Sequence, residues 1–270
     1  VYATPVLGGL LADRYLGMRK AVVFGGLLLV LGHLGMAFEG EQARRTGETV
    51  IRDEGALQTF YFSLALIVIG VGFLKPNIST IVGKLYSAED PRRDAGFTIF
   101  YMGINLGAFS AMLLCGYLGE TYGWRYGFGL AGIGMLGGLI TFLRGQKYLH
   151  GHAEPKDPEL LTQKSSIGLS KEWTIYLCAL IGVIVIWQML QFHAVVGVTL
   201  NVTAIAVLMG LGWFITVKCN PVERSRMLVL MVLTMSTVVF WALFEQAAGS
   251  MTLFADRVMD KNLLGFEFSA

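Results

Sequence analysis

The sequence predicts an all-α polytopic membrane protein. Three observations carry that expectation. Mean hydropathy is +0.60. Asp, Glu, Lys and Arg make up 15 % of the 270 residues, where a soluble domain carries roughly 25 %. The apolar residues also gather in charge-free runs long enough to cross a bilayer, which takes about 20 residues of helix. These features exclude a disordered chain, a disulfide scaffold and an ordinary water-soluble enzyme. An up-and-down barrel is excluded too, because its strands would be about ten residues of alternating pattern.

The runs follow in order. Residues 2–12 form the apolar end of one span. Residues 21–38 are a charge-free run, and 55–74 continue past Lys75 to residue 83. Residues 95–119 and 126–143 give two more. Residues 173–217 carry one His and no formal charge, enough for two passes with a turn near His193. Residues 227–244 continue past Glu245 to 255. The sequence therefore predicts seven full spans plus the end of an earlier one.

Lys and Arg set the orientation. One set of alternate connections holds Arg14, Arg19, Lys20, Lys84, Arg92, Arg93, Arg144, Lys147, Lys156, Lys164, Lys171, Lys218, Arg224 and Arg226. The other holds only Arg44, Arg45, Arg52, Arg125, Arg257 and Lys261. The first set is expected in the cytoplasm. The resulting organisation is a helical bundle over 1–144, a polar cytoplasmic linker over 145–172, an inserted helix pair over 173–217, and the start of a second bundle over 218–270. The mixed-charge segment 39–56 reads as a solvated outer loop, and His150 and His152 as solvated residues of the linker. The chain starts at Val1 and no signal peptide precedes the first run, so it is expected to be a piece of something longer.

Two formal charges lie inside spans, Lys75 and Glu245. Each costs at least about 2.5 kcal/mol in hydrocarbon unless it meets water or a partner. Lys75 sits about 13 Å below the level of Lys84 at 1.5 Å per residue, near the limit of a snorkelling side chain. Glu245 is too short and too deep to snorkel. Pro76, beside Lys75, removes a backbone donor and loosens the helix; it marks either a packing kink or a substrate or ion pathway. Tyr101 and Asn105 are four apart on one helical face. Asn105 is either a hydrogen-bonding link between helices or a site residue, whereas Gly103 and Gly107 have the spacing of close helix packing. Trp241, Glu245 and Gly249 repeat at intervals of four, which suits an aromatic wall beside a polar cavity. His33 reads as a hydrogen-bonded core residue; Cys115, Cys178 and Cys219 lack metal-ligand spacing, and the two within apolar runs, Cys115 and Cys178, read as small core hydrophobes. The net charge of +2 offers no basic stripe for nucleic acid, and no metal motif, P-loop or nucleophile–base cluster suggests an enzyme.

Residues 8–20, GGLLADRYLGMRK, resemble the loop between helices 2 and 3 of the major facilitator superfamily. The form ADRYLG, followed by Ala21, Val22 and glycines at 26 and 32, resembles the proton-dependent oligopeptide transporter (POT, or PTR2) family. FTIFYMGINLGAF at 97–109 resembles that family's signature on helix 5, GFLKPNIS at 72–79 its helix 4, and FWALFEQ at 240–246 its helix 7. The long apolar block is similar to the extra helix pair of bacterial members.

The resemblance implies a partial major facilitator fold, from the end of helix 2 through helix 7. It implies proton-coupled symport of di- and tripeptides by alternating access, across the inner membrane of a bacterium. Its implied partners are small peptides, the bilayer, and helices 1 and 8–12 of the same protein; its coupling ion is the proton, with no cofactor or metal. Tyr2, Lys75, Tyr101, Asn105, Trp241 and Glu245 are implied as substrate-binding, and Lys75 and Glu245 as proton-coupling. Asp13, Arg14, Arg19 and Lys20 are implied as a cytoplasmic conformational latch. Where some members have a second carboxylate just before Glu245, this chain has Phe244. A chain without helix 1 and helices 8–12 is expected not to transport alone. Two other functions fit the same scaffold: carriage of nitrate or another small solute, and a non-transporting membrane interaction protein, against which the intramembrane Lys75 and Glu245 argue.

The chemistry also stands without the resemblance. A zwitterionic peptide needs a cation for its carboxylate and an anion for its ammonium. A glutamate alternately shielded from and open to water can take up and release a proton.

Overall fold

The computed structural model describes residues 3–41, 43–46, 49–165, 168–259, 262–263 and 266–267. Among the described residues, seven helical segments are long and apolar enough to cross a membrane; they take in the seven expected full spans, the first, Thr4–Met36, also including the expected end of an earlier span. The chain divides into two compact units, residues 1–192 and 193–270. The division falls inside the expected helix pair, immediately after its first helix.

The larger unit is organised around α3 (Glu54–Lys84). Asp53 caps its start by accepting the Ala56 N–H at 3.0 Å. The backbone N–H groups of Ala56 and Glu41 hold the Asp53 carboxyl below the usual range. Ahead of α3 lie α1 (Thr4–Leu11) and α2 (Gly17–Met36), joined by a wide π turn over Ala12–Leu16. The outer segment between α2 and α3 carries a short antiparallel hairpin, β1 (Arg44–Thr46) with β2 (Thr49–Ile51), where the charge pattern predicts only solvated loop. The helices α4 (Arg93–Tyr122) and α5 (Trp124–Gly145) follow, then the short α6 (Pro158–Thr162) and α7 (Lys171–Gln191).

Small residues let the central helices touch. A Cβ on Gly25 of α2 would sit 2.7 Å from the Gly70 carbonyl oxygen of α3, and one on Gly8 of α1 would sit 2.1 Å from that of Gly72. In hydrocarbon there is little hydrophobic drive between helices, so close packing of this kind holds them. The core then fills from α2, α3 and α7: Leu28, Ala65, Leu66 and Val183 form one buried cluster, flanked by Phe24, Ile69 and Trp187. The Phe24 ring stacks on Tyr176 at 4.6 Å and meets Phe73 edge-on at 5.1 Å. At its far end α7 is tied to α3 by the Gln58–Gln191 side-chain hydrogen bond of 2.9 Å. His33 is half-buried and bonds the Leu29 carbonyl at 2.8 Å, as expected.

Two expectations fail in this unit. Among the described residues, Gly103 and Gly107 on α4 have no neighbouring atom within 4 Å of a Cβ position, so their stripe meets no helix there. The second concerns the cysteines: Cys178 is exposed rather than a core residue. Among the described residues, all three cysteines are free thiols and no three His, Cys, Asp or Glu side chains gather as a metal site.

The smaller unit holds α8 (His193–Val217), α9 (Pro221–Phe244) and α10 (Ser250–Val258). Two-residue strands β3 (Asn262–Leu263) and β4 (Phe266–Glu267) pair after them. Asn220 and Glu223 form a reciprocal capping box at the start of α9, with Pro221 at its first position.

Replacing Gly25 with Leu should separate α2 from α3 and cost about 1–3 kcal/mol, read as a lower thermal midpoint of the detergent-solubilised chain. Gly107→Leu, made on an open face, should leave that midpoint nearly unchanged.

Candidate functional site

Lys75 and Pro76 lie in the second half of α3, which stays helical through the proline. Pro76 has no N–H to give, and the polar side chains that follow bond back to the helix. Asn77, buried, donates to the Phe73 carbonyl at 2.7 Å, and Thr80 donates to the Pro76 carbonyl at 2.7 Å. These bonds add donors to the carbonyls around the proline; the acceptor that Pro76 itself frees is that of Gly72, four residues back. Lys75 itself is exposed on the surface of the unit.

Tyr101 and Asn105 share one face of α4, as their spacing predicts, and both are exposed. The Asn105 amide donates to the Tyr101 carbonyl of its own helix at 2.8 Å. Within the described residues it is therefore not a link to another helix.

In the smaller unit, Trp241 packs edge-on against Phe240 at 5.6 Å and Phe244 at 5.3 Å. Glu245 stands at the C-terminal end of α9, where the helix tightens into a 3₁₀ turn over Glu245–Ala248. Gly249, with φ −118° and ψ −101°, then ends that turn and α10 begins. The expected continuous stripe Trp241–Glu245–Gly249 is thus cut before its third member. Glu245 is exposed, and its backbone N–H closes the helix by bonding the Leu243 and Trp241 carbonyls. Tyr2 lies outside the described residues.

The four residues of the expected latch do not behave alike. Arg19 pairs with Glu154 through Nε and Oε1, and through Nη2 and Oε2 at 3.0 Å. Lys20 pairs with Glu172 at 2.6 Å. Asp13 and Arg14 are exposed, and Arg14 rests over the Tyr15 ring at 5.6 Å. Sequence reasoning missed Glu154 and Glu172 altogether. Nothing in the segment singles them out: it also holds Asp157 and Glu159, interspersed with Lys147, Lys156, Lys164 and Lys171.

A cavity of about 760 Å³ opens between α1, α3 and α7. Its walls are apolar, including Leu7, Ile69, Phe73 and Ile175, with Asp13, Arg14 and Lys156 at its rim. None of Lys75, Tyr101 or Asn105 lines it, so it is not the expected peptide site.

The chain matches the family model described as PTR2, POT family, over residues 19–270. It is 37 % identical over 275 residues to the uncharacterized transporter YclF of Bacillus subtilis, covering 100 % of this chain and 52 % of the relative. It is 35 % identical over 286 residues to the peptide transporter YePEPT of Yersinia enterocolitica, covering 99 % and 52 %. A solved structure of a mutant peptide transporter POT in complex with alafosfalin superposes with a TM-score of 0.74 at 35 % identity, over 99 % of this chain and 52 % of the other. The chain thus spans about half the length of the curated relatives it matches. Seven apolar helices, the ordered motifs and the match over nearly the whole sequence place this chain in the POT family.

Proposed function

We propose that the chain is part of a proton-coupled symporter of di- and tripeptides in the cytoplasmic membrane of a bacterium. One observation carries the proposal: each of two membrane segments holds one formal charge away from its ends, of opposite sign in the two, Lys75 in α3 and Glu245 at the end of α9. Such charges are retained in hydrocarbon at a cost and mark substrate or proton routes. Family membership and the peptide-transporting relative support the substrate class, and the bacterial sources of both relatives support the membrane.

The division of labour follows from chemistry. Lys75 faces the carboxylate end of the peptide, and Asn105 hydrogen-bonds its backbone. Trp241 forms a wall, and Glu245 meets the ammonium end or carries the coupled proton. Tyr2 and Tyr101 complete the polar lining. When the site closes, water leaves and each charge pairing strengthens as the local dielectric falls. The cavity opens alternately to either side, with Asp13, Arg14, Arg19 and Lys20 at the cytoplasmic exit. Transport by alternating access needs two bundles that rock against each other, so the 270-residue chain reconstituted alone is proposed to be inactive.

Dialanine uptake into proteoliposomes, driven by an imposed pH gradient, tests the proposal on the full-length gene product. Lys75→Ala and Glu245→Gln should each cut the initial rate by roughly tenfold or more, because each leaves one end of a desolvated peptide charge unpaired. Normal rates in both variants would refute the assignments, and uptake of nitrate in place of dialanine would refute the substrate. Asn105→Ala should raise the dialanine KM while leaving the thermal midpoint unchanged within about 0.5 kcal/mol of stability, since its amide bonds only its own helix. Equal loss of both would make Asn105 a folding residue.

A further inference from the structure

The segment 146–172 has the composition of a solvated tether, yet its residues 146–161 and Glu172 are fastened to the α1–α2 junction, the π turn and the first turns of α2, at three levels. The first is backbone: the Arg19 N–H donates to the Ala153 carbonyl at 2.9 Å. The second is packing. Ala153 is 1 % exposed against Met18, Val22 and Ile81, and Leu161 is 2 % exposed in the cluster of Ala12 and Leu16. Gly17 has φ +73°, and a Cβ there would lie 2.4 Å from the Pro155 nitrogen, so the turn and the tether fit only with glycine at that position. The third is charge. Glu154 takes Arg19 with two parallel hydrogen bonds, and Gln146 accepts a third at 3.2 Å. Glu172, held by the Tyr176 hydroxyl at 3.0 Å, takes Lys20.

Each contact is modest alone. The Arg19–Glu154 pair is 27 % and 42 % exposed and Lys20–Glu172 is 27 % and 25 % exposed, so screening limits both. Contacts that share one short loop are coupled, however, and release together. The loop they fasten is the one whose cations the transport proposal puts at the cytoplasmic exit. A carboxylate that holds Arg19 bidentately occupies its fork, leaving that fork unable to pair elsewhere at the same time.

We propose that residues 146–161, together with Glu172 at the start of α7, are a conformational strap that holds the α1–α2 junction and competes for Arg19 and Lys20, so that movement of the cytoplasmic exit requires Glu154 and Glu172 to let go. The strap also joins that junction to α7, giving the inserted helix a mechanical link to the exit. The consequence for the cycle rests on the transport proposal; the strap itself does not.

Hydrogen exchange, followed by mass spectrometry on the chain in lipid nanodiscs, tests it. Glu154→Gln and Arg19→Glu should each speed exchange about tenfold in peptides covering 13–20 and 149–157, as expected for a local opening unit, while α3 peptides stay protected. Combining Arg19→Glu with Glu154→Arg should bring exchange back to within about threefold of the unmodified chain. Unchanged exchange in the single variants, failure of the exchanged pair to restore protection, or equal loss across α3 would each overturn the strap. In the full-length protein, Glu154→Gln should change the dialanine uptake rate and the exchanged pair should restore it. An opened strap with unaltered uptake overturns its role at the exit. Absence of dialanine uptake in the unmodified protein would refute the transport proposal, with the exchange data still deciding the strap.

Discussion

The close crossing of α2 on α3 is the contact on which the larger unit depends. Gly25 and Gly70 bring the two backbones together where any side chain would hold them apart. In a bilayer this matters more than in water, because burying leucine against leucine gains little over burying it against lipid. Once α3 is fixed, its other faces are assigned. Gly72 receives α1, Phe73 and Leu66 receive α2 and α7, and Lys75 remains on the surface of the unit. The intramembrane cation is thus placed by glycines on the same helix.

Charge shows the same economy. Few charged residues stand within the spans, and near the start of α2 two cations are held by carboxylates from far along the chain. Arg19 with Glu154 and Lys20 with Glu172 join three parts of the chain that composition alone would treat as separate: a loop, a tether and an inserted helix. Asp90 and Arg92, by contrast, pair across two residues on the exposed connection before α4, where Arg92 holds the Asp90 carboxyl below its usual range. That pair shapes one turn and binds nothing together. Sequence separation, rather than the number of ion pairs, decides which of them organise the fold.

Much of this was legible from residues in order. Span positions follow from hydropathy, because an unpaired polar backbone in lipid leaves helices as the way through. The turn near His193 was readable from length alone, since a run of 45 residues without formal charge exceeds one crossing. What sequence misjudged were features set by neighbours. Gly103 and Gly107 have the spacing of a packing stripe just as Gly70 does, but only a partner helix turns spacing into contact. The break at Gly249 depends on backbone angles that an i, i+4, i+8 pattern does not encode. Glu154 looked solvated because its partner lies 135 residues away. For the candidate site, residue types were legible and their assembly was not: Lys75, Tyr101 and Asn105 belong to one unit, and Trp241 and Glu245 to the other.

The central claim is that a peptide and a proton move together. Proteoliposomes holding the full-length protein and a trapped pH-sensitive dye test it most directly. With outward and inward pH equal and the membrane potential set negative inside, adding dialanine outside should acidify the lumen in proportion to the peptide taken up. Peptide entry without acidification, or acidification independent of peptide, would contradict the claim.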